Sequence, residues 1–335
     1  MTGDTGTDVQ TLMIYGATGY TGREVAQLAA AAGLNPVLGG RDAGRLATLA
    51  AELGVSYRAF GLDDLAAVQD AISEVDVLVN CAGPFMKTAK IFMTAAIQTG
   101  VHYLDIAAEL DSYQVAEELD DAARAAGVML LPGGGGSVAM LGCLAGHAAG
   151  RVMNAQRIRI ALNVTGSMSR GSAISAAENL TTETLMRIGG TLTRRDAAEV
   201  CDFDFGAGPV TCSPVTLPDL VTIWQATKIP DIETYVHVAA DAFPQGDLAA
   251  LPDGPTVAER QANRYQVAVE ATGADGSVAR AALDTVNGYT FTALAATEAA
   301  RRVLAGEHRP GFQTPAALFG NGFAETIADT RIIDC

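Results

Sequence analysis

The first 150 residues alternate short apolar runs with longer stretches in which apolar residues recur every three or four positions. Runs of the first kind are typical of buried parallel strands, and stretches of the second kind are typical of amphipathic helices. The alternation therefore predicts a doubly wound α/β fold with a parallel sheet. Its six strands are predicted at residues 11–15, 36–40, 56–60, 76–80, 101–105 and 128–132.

After about residue 151 the apolar runs become longer and partly alternate with polar residues. They predict a second, mixed sheet with strands at 157–164, 234–239, 264–272 and 277–284, and a hairpin turn at 274–276. A strong helical pattern follows at 289–304. Residues 240–255 are rich in Asp, Gly and Pro and have no period, so they predict a surface loop. This loop is either a solvated excursion, a lid or an oligomer contact.

A chain of 335 residues exceeds the usual size of one domain, so we expect two domains, or one domain with a large insertion. We divide the chain into three segments. Residues 1–150 form the doubly wound domain, and residues 151–286 form an inserted mixed α/β domain. Residues 287–335 form a C-terminal helix and tail that return to the first domain.

Hydrophobic residues make up 49% of the chain and charged residues 18%, which indicates a compact globular protein. The net charge of -16 would repel phosphate backbones and anionic lipid headgroups, so we expect neither nucleic acids nor membranes as partners. The chain has no basic leader followed by an apolar run, and no apolar stretch of membrane-spanning length, so we expect a cytoplasmic protein. The five cysteines and four histidines lack ligand spacing, so we expect no bound metal.

A glycine-rich loop directly follows the first predicted strand and opens the first predicted helix. Gly16 permits a tight turn, Gly19 lets the backbone approach a pyrophosphate, and Gly22 lets the helix pack closely on the strand. The helix N-terminus then offers unpaired N–H groups and part of a positive charge to the phosphates. We therefore predict a Rossmann dinucleotide site whose first contacts are Gly16, Ala17, Thr18, Gly19, Tyr20, Thr21 and Gly22.

The end of the second predicted strand indicates which dinucleotide is bound. An acidic residue at this point would hold the ribose hydroxyls of NAD, whereas an arginine can pair with the 2′-phosphate of NADP. Here Arg41 comes first, Arg45 follows one helical turn later, and Asp42 stands between them. The order of these residues favours NADP(H). Binding of NAD through Asp42 stays open, as does a surface role for Arg41 that is unrelated to a cofactor.

The fourth predicted strand breaks at its carboxyl end, where ligands bind in open α/β sheets. The segment from Asn80 to Pro84 should therefore border the cofactor. Its cysteine is more typical of a small buried side chain than of a nucleophile, because no base stands nearby in sequence. The predicted contacts are Asn80, Cys81, Ala82, Gly83 and Pro84.

Other polar residues also follow predicted strands at this edge. Tyr103 and Asp105, with Glu109 after them, are candidates for acid–base chemistry, although Asp105 could instead cap a turn. Ser137 follows four glycines and is either a proton guide or the cap of the next helix. Arg170 lies near the start of a predicted helix, where it could bind a substrate carboxylate or phosphate or remain solvated.

Together these motifs resemble the saccharopine dehydrogenase-like oxidoreductases, including the branch of trans-acting enoyl reductases. The resemblance runs nearly end to end. It implies NADPH-dependent reduction of a C=N or C=C bond of a small molecule, or the reverse reaction, and an inserted domain that contributes substrate contacts and often homodimer contacts. The motifs are GATGYTG from Gly16, VNCAGPF from Val79, GVHYLDIAAE from Gly100, SRGSAISAAE from Ser169, IPDIETY from Ile229 and NGYTFTALAATEAARRVL from Asn287.

The chain departs from its relatives after the sixth predicted strand. Relatives usually have an aromatic residue and an aspartate where this chain has Gly136 and Ser137, and a second aspartate in place of Gly142. This departure implies that the usual chemistry is altered or lost, while cofactor binding survives. Two functions stay open. One is an NADPH-dependent reductase in which Ser137, Tyr103 or Asp105 guides a proton, and the other is a non-catalytic NADP(H)-binding partner or scaffold for another enzyme.

Overall fold

The computed structural model describes residues 11–179, 183–195, 199–239 and 251–335. The strands are β1 (Leu12–Tyr15), β2 (Val37–Gly40), β3 (Tyr57–Ala59), β4 (Val77–Asn80), β5 (His102–Asp105), β6 (Met129–Leu131), β7 (Ala155–Val164), β8 (Leu185–Ile188), β9 (Thr191–Arg194), β10 (Cys201–Asp204), β11 (Pro209–Pro214), β12 (Asp231–Val238), β13 (Tyr265–Gly273), β14 (Val278–Thr285), β15 (Gly311–Phe312) and β16 (Arg331–Asp334). The helices are α1 (Tyr20–Ala31), α2 (Ala43–Leu53), α3 (Leu65–Ile72), α4 (Phe85–Thr99), α5 (Leu110–Glu118), α6 (Asp120–Ala125), α7 (Ser137–Ala149), α8 (Arg170–Asn179), α9 (Asp219–Thr227), α10 (Val257–Ala262), α11 (Gly288–Leu304) and α12 (Pro315–Phe319).

The first sheet is parallel and has the strand order β15-β6-β5-β4-β1-β2-β3. Apart from the added edge strand β15, this is the order of a Rossmann domain, in which the direction of strand addition reverses between β1 and β4. The crevice at that reversal is where such folds bind ligands. Each of the six strands predicted in the first 150 residues is present with its ends shifted by at most one residue. The predicted fold class is confirmed.

The second sheet is mixed. Strands β7 and β12 run parallel at its centre, and β13, β14 and β16 extend it antiparallel on one side. Strands β11 and β10 extend it on the other side, and the hairpin of β8 and β9 attaches to β12. The four strands predicted in this region are all present. Strands β8 to β11, β15 and β16 were not predicted from the sequence.

Helix α7 joins the two sheets into one core. It contacts β7, β13 and β14 of the second sheet and helices α9 and α11. It is apolar on nearly every face, and its residues from Val138 to Ala145 are all buried. A helix with this composition is stable only when it is surrounded by protein. The position of α7 is therefore fixed by the second sheet and by the helices packed around it.

The chain after the second sheet returns to both halves of the molecule. Helix α11 packs against α1 and lies beside β4 and β5, and β15 adds to the edge of the first sheet. Strand β16 then pairs with β14 in the second sheet. Among the described helices, none is long and apolar enough to cross a bilayer.

Most of the surface loop predicted at 240–255 lies outside the described residues. Its last five residues are described, and the last two of them lie against the glycine-rich loop. Gly254 contacts the ring of Tyr20, and the Pro255 carbonyl accepts a hydrogen bond from the Tyr20 hydroxyl at 2.5 Å. The solvated excursion is therefore wrong for Gly254 and Pro255, whereas Pro252 and Asp253 are exposed.

Candidate functional site

The glycine-rich loop has the geometry that a pyrophosphate requires. Gly16 has a φ of 80°, and a Cβ there would lie 2.9 Å from backbone atoms of both Cys81 and Ala82. A Cβ on Gly22 would lie 2.2 Å from the Gly16 carbonyl oxygen, so only glycine permits this helix–strand contact. Gly19 is exposed and precedes α1 without a side-chain cap, which leaves the first N–H groups of α1 for an anion.

The three polar residues after β2 differ in their hydrogen bonds within the protein. The Asp42 carboxylate caps α2 by accepting a hydrogen bond from the Arg45 N–H at 3.0 Å. The Arg45 guanidinium donates to the Thr18 carbonyl at 2.8 Å and so reaches the glycine-rich loop. Arg41 is exposed, and in the part of the chain that the structure describes its guanidinium makes no hydrogen bond or ion pair. It is thus available for an anionic group beside the ribose.

The segment after β4 is held in shape by its own asparagine. Asn80 is fully buried, donates to Thr88 at 3.0 Å and accepts from the Ala82 N–H at 3.0 Å. The Gly83–Pro84 peptide bond that follows is cis. Desolvation by burial, together with the nearby Asp105, raises the pKa of the Cys81 thiol well above its usual range, which argues against a nucleophilic thiolate. Cys81 and Ala82 line the base of the glycine-rich loop.

Tyr103 and Asp105 lie beneath this edge rather than at its surface. Both are fully buried, and the Tyr103 hydroxyl donates to Asp105 Oδ2 at 2.7 Å. Asp105 Oδ1 accepts from the N–H groups of Ala107 at 2.9 Å and Gly133 at 2.8 Å. Burial raises the pKa of Asp105 to about 6, an effect that these hydrogen bonds oppose. These bonds keep both side chains within the protein, and a role for either in delivering a proton to a ligand stays a prediction.

The glycine run after β6 packs closely against α11. A Cβ on Gly135 would lie 2.6 Å from the Thr292 carbonyl oxygen, and Gly136 has a φ of 86°. Gly136 occupies the cap position of α7, and Ser137 is the first helical residue. The prediction that Ser137 caps this helix is therefore wrong. Ser137 is half-buried, and it is the one predicted acid–base residue among the three that is not completely buried.

The glycine-rich loop is covered by residues from later in the chain. This contact was not predicted from the sequence. Arg260 on α10 donates to the Tyr20 hydroxyl at 2.9 Å and forms a largely buried ion pair with Glu24 on α1. Tyr289 at the start of α11 stacks edge-on against Tyr20, with ring centroids 5.4 Å apart. These contacts join residues more than 230 positions apart, so no local pattern could have indicated them.

Helix α8 also reaches this edge. Ser175 donates to Glu109 Oε1 at 2.8 Å, and the Ser169 N–H donates to the Tyr289 hydroxyl at 2.7 Å. Arg170 forms an ion pair with Asp253 and donates to the Leu251 carbonyl at 3.2 Å. A substrate anion at Arg170 would therefore compete with Asp253. In the described part of the chain, no group of three or more His, Cys, Asp or Glu side chains is arranged to hold a metal ion.

Sequence comparison finds a family match for the N-terminal domain. Residues 12–131 match the saccharopine dehydrogenase NADP binding domain. This range contains β1 to β6, the glycine-rich loop and Arg41. No curated protein sequence matches the chain.

Solved structures match nearly the whole chain. Apo saccharopine dehydrogenase (L-Glu forming) from Saccharomyces cerevisiae is 14% identical, with a TM-score of 0.63 and coverage of 97% of this chain and 100% of that one. Homospermidine synthase from Legionella pneumophila, solved in complex with NAD, is 11% identical, with a TM-score of 0.68 and coverage of 97% and 91%. At these identities the likeness concerns the fold, which extends through both sheets.

Proposed function

We propose that this chain is a saccharopine dehydrogenase-like oxidoreductase that uses NADP(H) to reduce a C=N or activated C=C bond of a small metabolite. The nicotinamide cofactor supplies or accepts the hydride when bound. The protein holds the cofactor, orients the substrate and supplies a proton. The predicted family resemblance is confirmed, as is the assignment to the NAD(P)-dependent oxidoreductases.

The observation that carries the choice of NADP(H) is the different engagement of Arg41 and Asp42. Asp42 already caps α2, whereas the exposed Arg41 guanidinium makes no ion pair in the described structure. A guanidinium binds a phosphate through two parallel hydrogen bonds, so Arg41 suits a 2′-phosphate. Arg45, which is anchored to Thr18, contributes a second positive charge between this group and the pyrophosphate.

The remaining roles follow from exposure. Gly19 and the start of α1 hold the pyrophosphate, while residues 80–84 border the nicotinamide end. Tyr103 accepts a hydrogen bond from Asn80, and Asp105 accepts one from the Gly133 N–H, so the two buried residues help to hold this segment in place. We assign proton guidance to Ser137 and substrate contact to α8, where an anionic substrate group would replace Asp253 on Arg170.

Titration of NADPH and NADH into the wild-type protein and Arg41→Ala tests this assignment. We expect NADPH to bind more tightly than NADH to the wild type, and Arg41→Ala to weaken NADPH by about tenfold or more while leaving NADH nearly unchanged. Arg331→Ala is the matched control, because Arg331 is an exposed arginine on the second sheet. Equal binding of NADH and NADPH to the wild type would mean that Asp42 holds the ribose and that the NADP(H) assignment is wrong.

A non-catalytic NADP(H)-binding partner is the second candidate. The complete burial of Tyr103 and Asp105 favours it, because it leaves few proton donors at the sheet edge. Tight NADPH binding without hydride transfer to any imine or enoyl compound would support this candidate over the reductase.

A further inference from the structure

Two cysteines face each other at the edge of the second sheet. Cys201 on β10 and Cys212 on β11 are directly opposite in antiparallel register, and both are free thiols. Residues directly opposite in such a pair project from the same face of the sheet. Both side chains lie at a small apolar cluster that also contains Phe203 and Tyr235.

The backbone spacing at this pair suits a disulfide. His237 Nδ1 on β12 lies 3.1 Å from the Thr211 carbonyl oxygen, so Thr211 faces β12 and its neighbour Cys212 faces β10. Cys201 and Cys212 are then a hydrogen-bonded pair, with Cα atoms about 5.5 Å apart, which is within the disulfide range. The Cβ separation of about 4.5–5.5 Å slightly exceeds what a disulfide prefers, so the bond would be strained and readily reduced.

The two sulfur atoms differ in exposure and in their neighbours. Cys201 is half-buried, and the Arg159 guanidinium donates to its sulfur at 3.3 Å. A guanidinium N–H stabilises the negative charge that a sulfur carries as it attacks. Cys212 is fully buried, and burial, followed by the nearby Cys201 and Asp202, raises its pKa to about 11. Cys201 is thus the sulfur that oxidants reach, and Cys212 is the thiol behind it.

We propose that Cys201 and Cys212 form a reversible dithiol–disulfide couple that is oxidised by hydroperoxides. The Cys201 sulfur attacks a peroxide oxygen and the O–O bond breaks, so that an alcohol or water leaves and Cys201 becomes a sulfenic acid. The Cys212 sulfur then attacks the Cys201 sulfur, and hydroxide leaves as water with the Cys212 proton. The peroxide gains the two electrons that the two thiols lose.

The other three cysteines are unsuited to this chemistry. Cys81 lies beneath the glycine-rich loop, and burial raises the pKa of its thiol. Cys143 is buried within α7, where desolvation raises its pKa to about 12. Cys335 is exposed and follows β16, and it has no cysteine opposite it in the sheet register. The couple also stands apart from the cofactor site, so this inference does not depend on the proposed function.

Peptide mass spectrometry of the oxidised protein tests the couple. The reduced, desalted protein is treated with a small excess of hydrogen peroxide, and its free thiols are counted after denaturation. Of the five thiols we expect two to be lost. The intact protein should lose two hydrogens, a Cys201–Cys212 cross-link should appear in the peptide digest, and reduced glutathione should restore all five thiols.

Three variants make the result decisive. Cys212→Ser should give an oxygenated Cys201 and no loss of hydrogens, and Arg159→Gln should slow disulfide formation several-fold. Cys143→Ser is the matched control and should still form the cross-link. Wild-type protein in which Cys201 gains oxygen without forming the cross-link, or which forms only dimers linked through Cys335, would overturn the proposal.

Discussion

At the scale of single residues, two fully buried carboxyl groups have opposite surroundings. Asp105 accepts hydrogen bonds from Tyr103 and from two backbone N–H groups. Asp219, the first residue of α9, has no hydrogen-bond partner for either carboxyl oxygen in the described structure beyond its own N–H. Burial raises the pKa of Asp219 from 3.8 to about 7. The hydrogen bonds of Asp105 therefore hold neighbouring residues of the site in place, whereas an ionised Asp219 destabilises the folded protein.

We expect Asp219→Asn to stabilise the protein increasingly as pH rises. The raised pKa means that the folded state keeps a proton that the unfolded state loses above its ordinary pKa of 3.8. The contribution of Asp219 to the free energy of unfolding is therefore most favourable below pH 3.8. It falls as the pH rises to about 7 and does not change above that pH. Urea unfolding at about pH 8 should show a gain of about 1–3 kcal/mol, and at about pH 5 a smaller one. Asp121→Asn, an exposed change in the first turn of α6, should be nearly neutral at both; a pH-independent effect of Asp219→Asn would contradict this reading.

We expect Gly22→Ala to weaken dinucleotide binding by roughly tenfold or more, about 1.4 kcal/mol. The added methyl would lie 2.2 Å from the Gly16 carbonyl oxygen, so α1 must shift away from β1 and the phosphate site must widen. NADPH titration measures the effect. Gly44→Ala in α2 is the matched control, since its Cβ has only an ordinary contact at 3.5 Å. Unchanged affinity in Gly22→Ala would show that the loop does not hold the phosphates.

Sequence reasoning at this scale depended on local signals. It placed Gly16 and Arg41 at the ends of strands and Gly22 at the start of the first helix, because glycine spacing and strand ends are visible along the chain. It also placed Tyr103 and Asp105 at the correct sheet edge. It could not predict their burial, because that depends on Gly133 and the long-range packing of α7 and α11.

At the scale of elements, helix α10 of the second domain is joined to α1 by an ion pair and a hydrogen bond. The Arg260 guanidinium bonds to Glu24 and Tyr20, and its ion pair with Glu24 is among the most buried of the described ones, with side chains 12% and 22% exposed. Arg260 is therefore already paired and unavailable for the cofactor. Removing one partner of a buried ion pair leaves the other charge uncompensated.

We expect Glu24→Gln to destabilise the folded protein by about 2–3 kcal/mol in urea unfolding, because it leaves Arg260 buried without its counter-charge. Glu52→Gln provides the control, since Glu52 pairs with Arg23 at 3.6 Å with both side chains half exposed. That change should cost less than 1 kcal/mol. A second change, Arg260→Met, should recover part of the loss in the Glu24→Gln background. Equal costs for the two glutamates would refute the role given to α10.

We also expect Gly142→Asp to destabilise the protein without creating activity. Gly142 is buried in α7, and its Cβ position lies 3.5 Å from Ala316 on α12, so a carboxylate there would be desolvated. Thermal unfolding should show a loss of several kcal/mol, whereas Gly322→Asp, at an open and exposed position, should be nearly neutral. An aspartate at this position would thus place a carboxylate in the buried contact between α7 and α12. A stable Gly142→Asp protein would contradict this explanation.

Several of the elements that sequence reasoning missed are short and polar. Strands β9 and β10 have the sequences TLTR and CDFD, in which too few apolar residues occur to establish a period. Helix α9 begins after Pro218 without a side-chain cap. By contrast, β7, β13 and β14 were predicted because each is eight residues or longer and mostly buried. Within the second sheet, pattern length and burial decided which strands could be recognised.

At the scale of the whole molecule, the cofactor crevice of the first sheet is bounded by the second domain. Pro255, Arg260 and helix α11 contact Tyr20 of the glycine-rich loop, and helix α8 contacts Glu109 after β5. Cofactor and substrate would therefore meet between the domains, which is where hydride transfer requires them. A protein that only displays NADP(H) to a partner would not need this coverage.

Transfer of deuterium from NADPH deuterated at C4 of the nicotinamide tests the proposed function most directly. The wild-type protein is incubated with this cofactor and with panels of cyclic imines and of α,β-unsaturated thioesters, and the products are analysed by mass spectrometry. We predict deuterium on a carbon of a reduced product from one panel, with less product formed by Ser137→Ala and Arg41→Ala. NADPH that binds tightly but transfers deuterium to neither panel would contradict the reductase and leave the non-catalytic binding partner as the function.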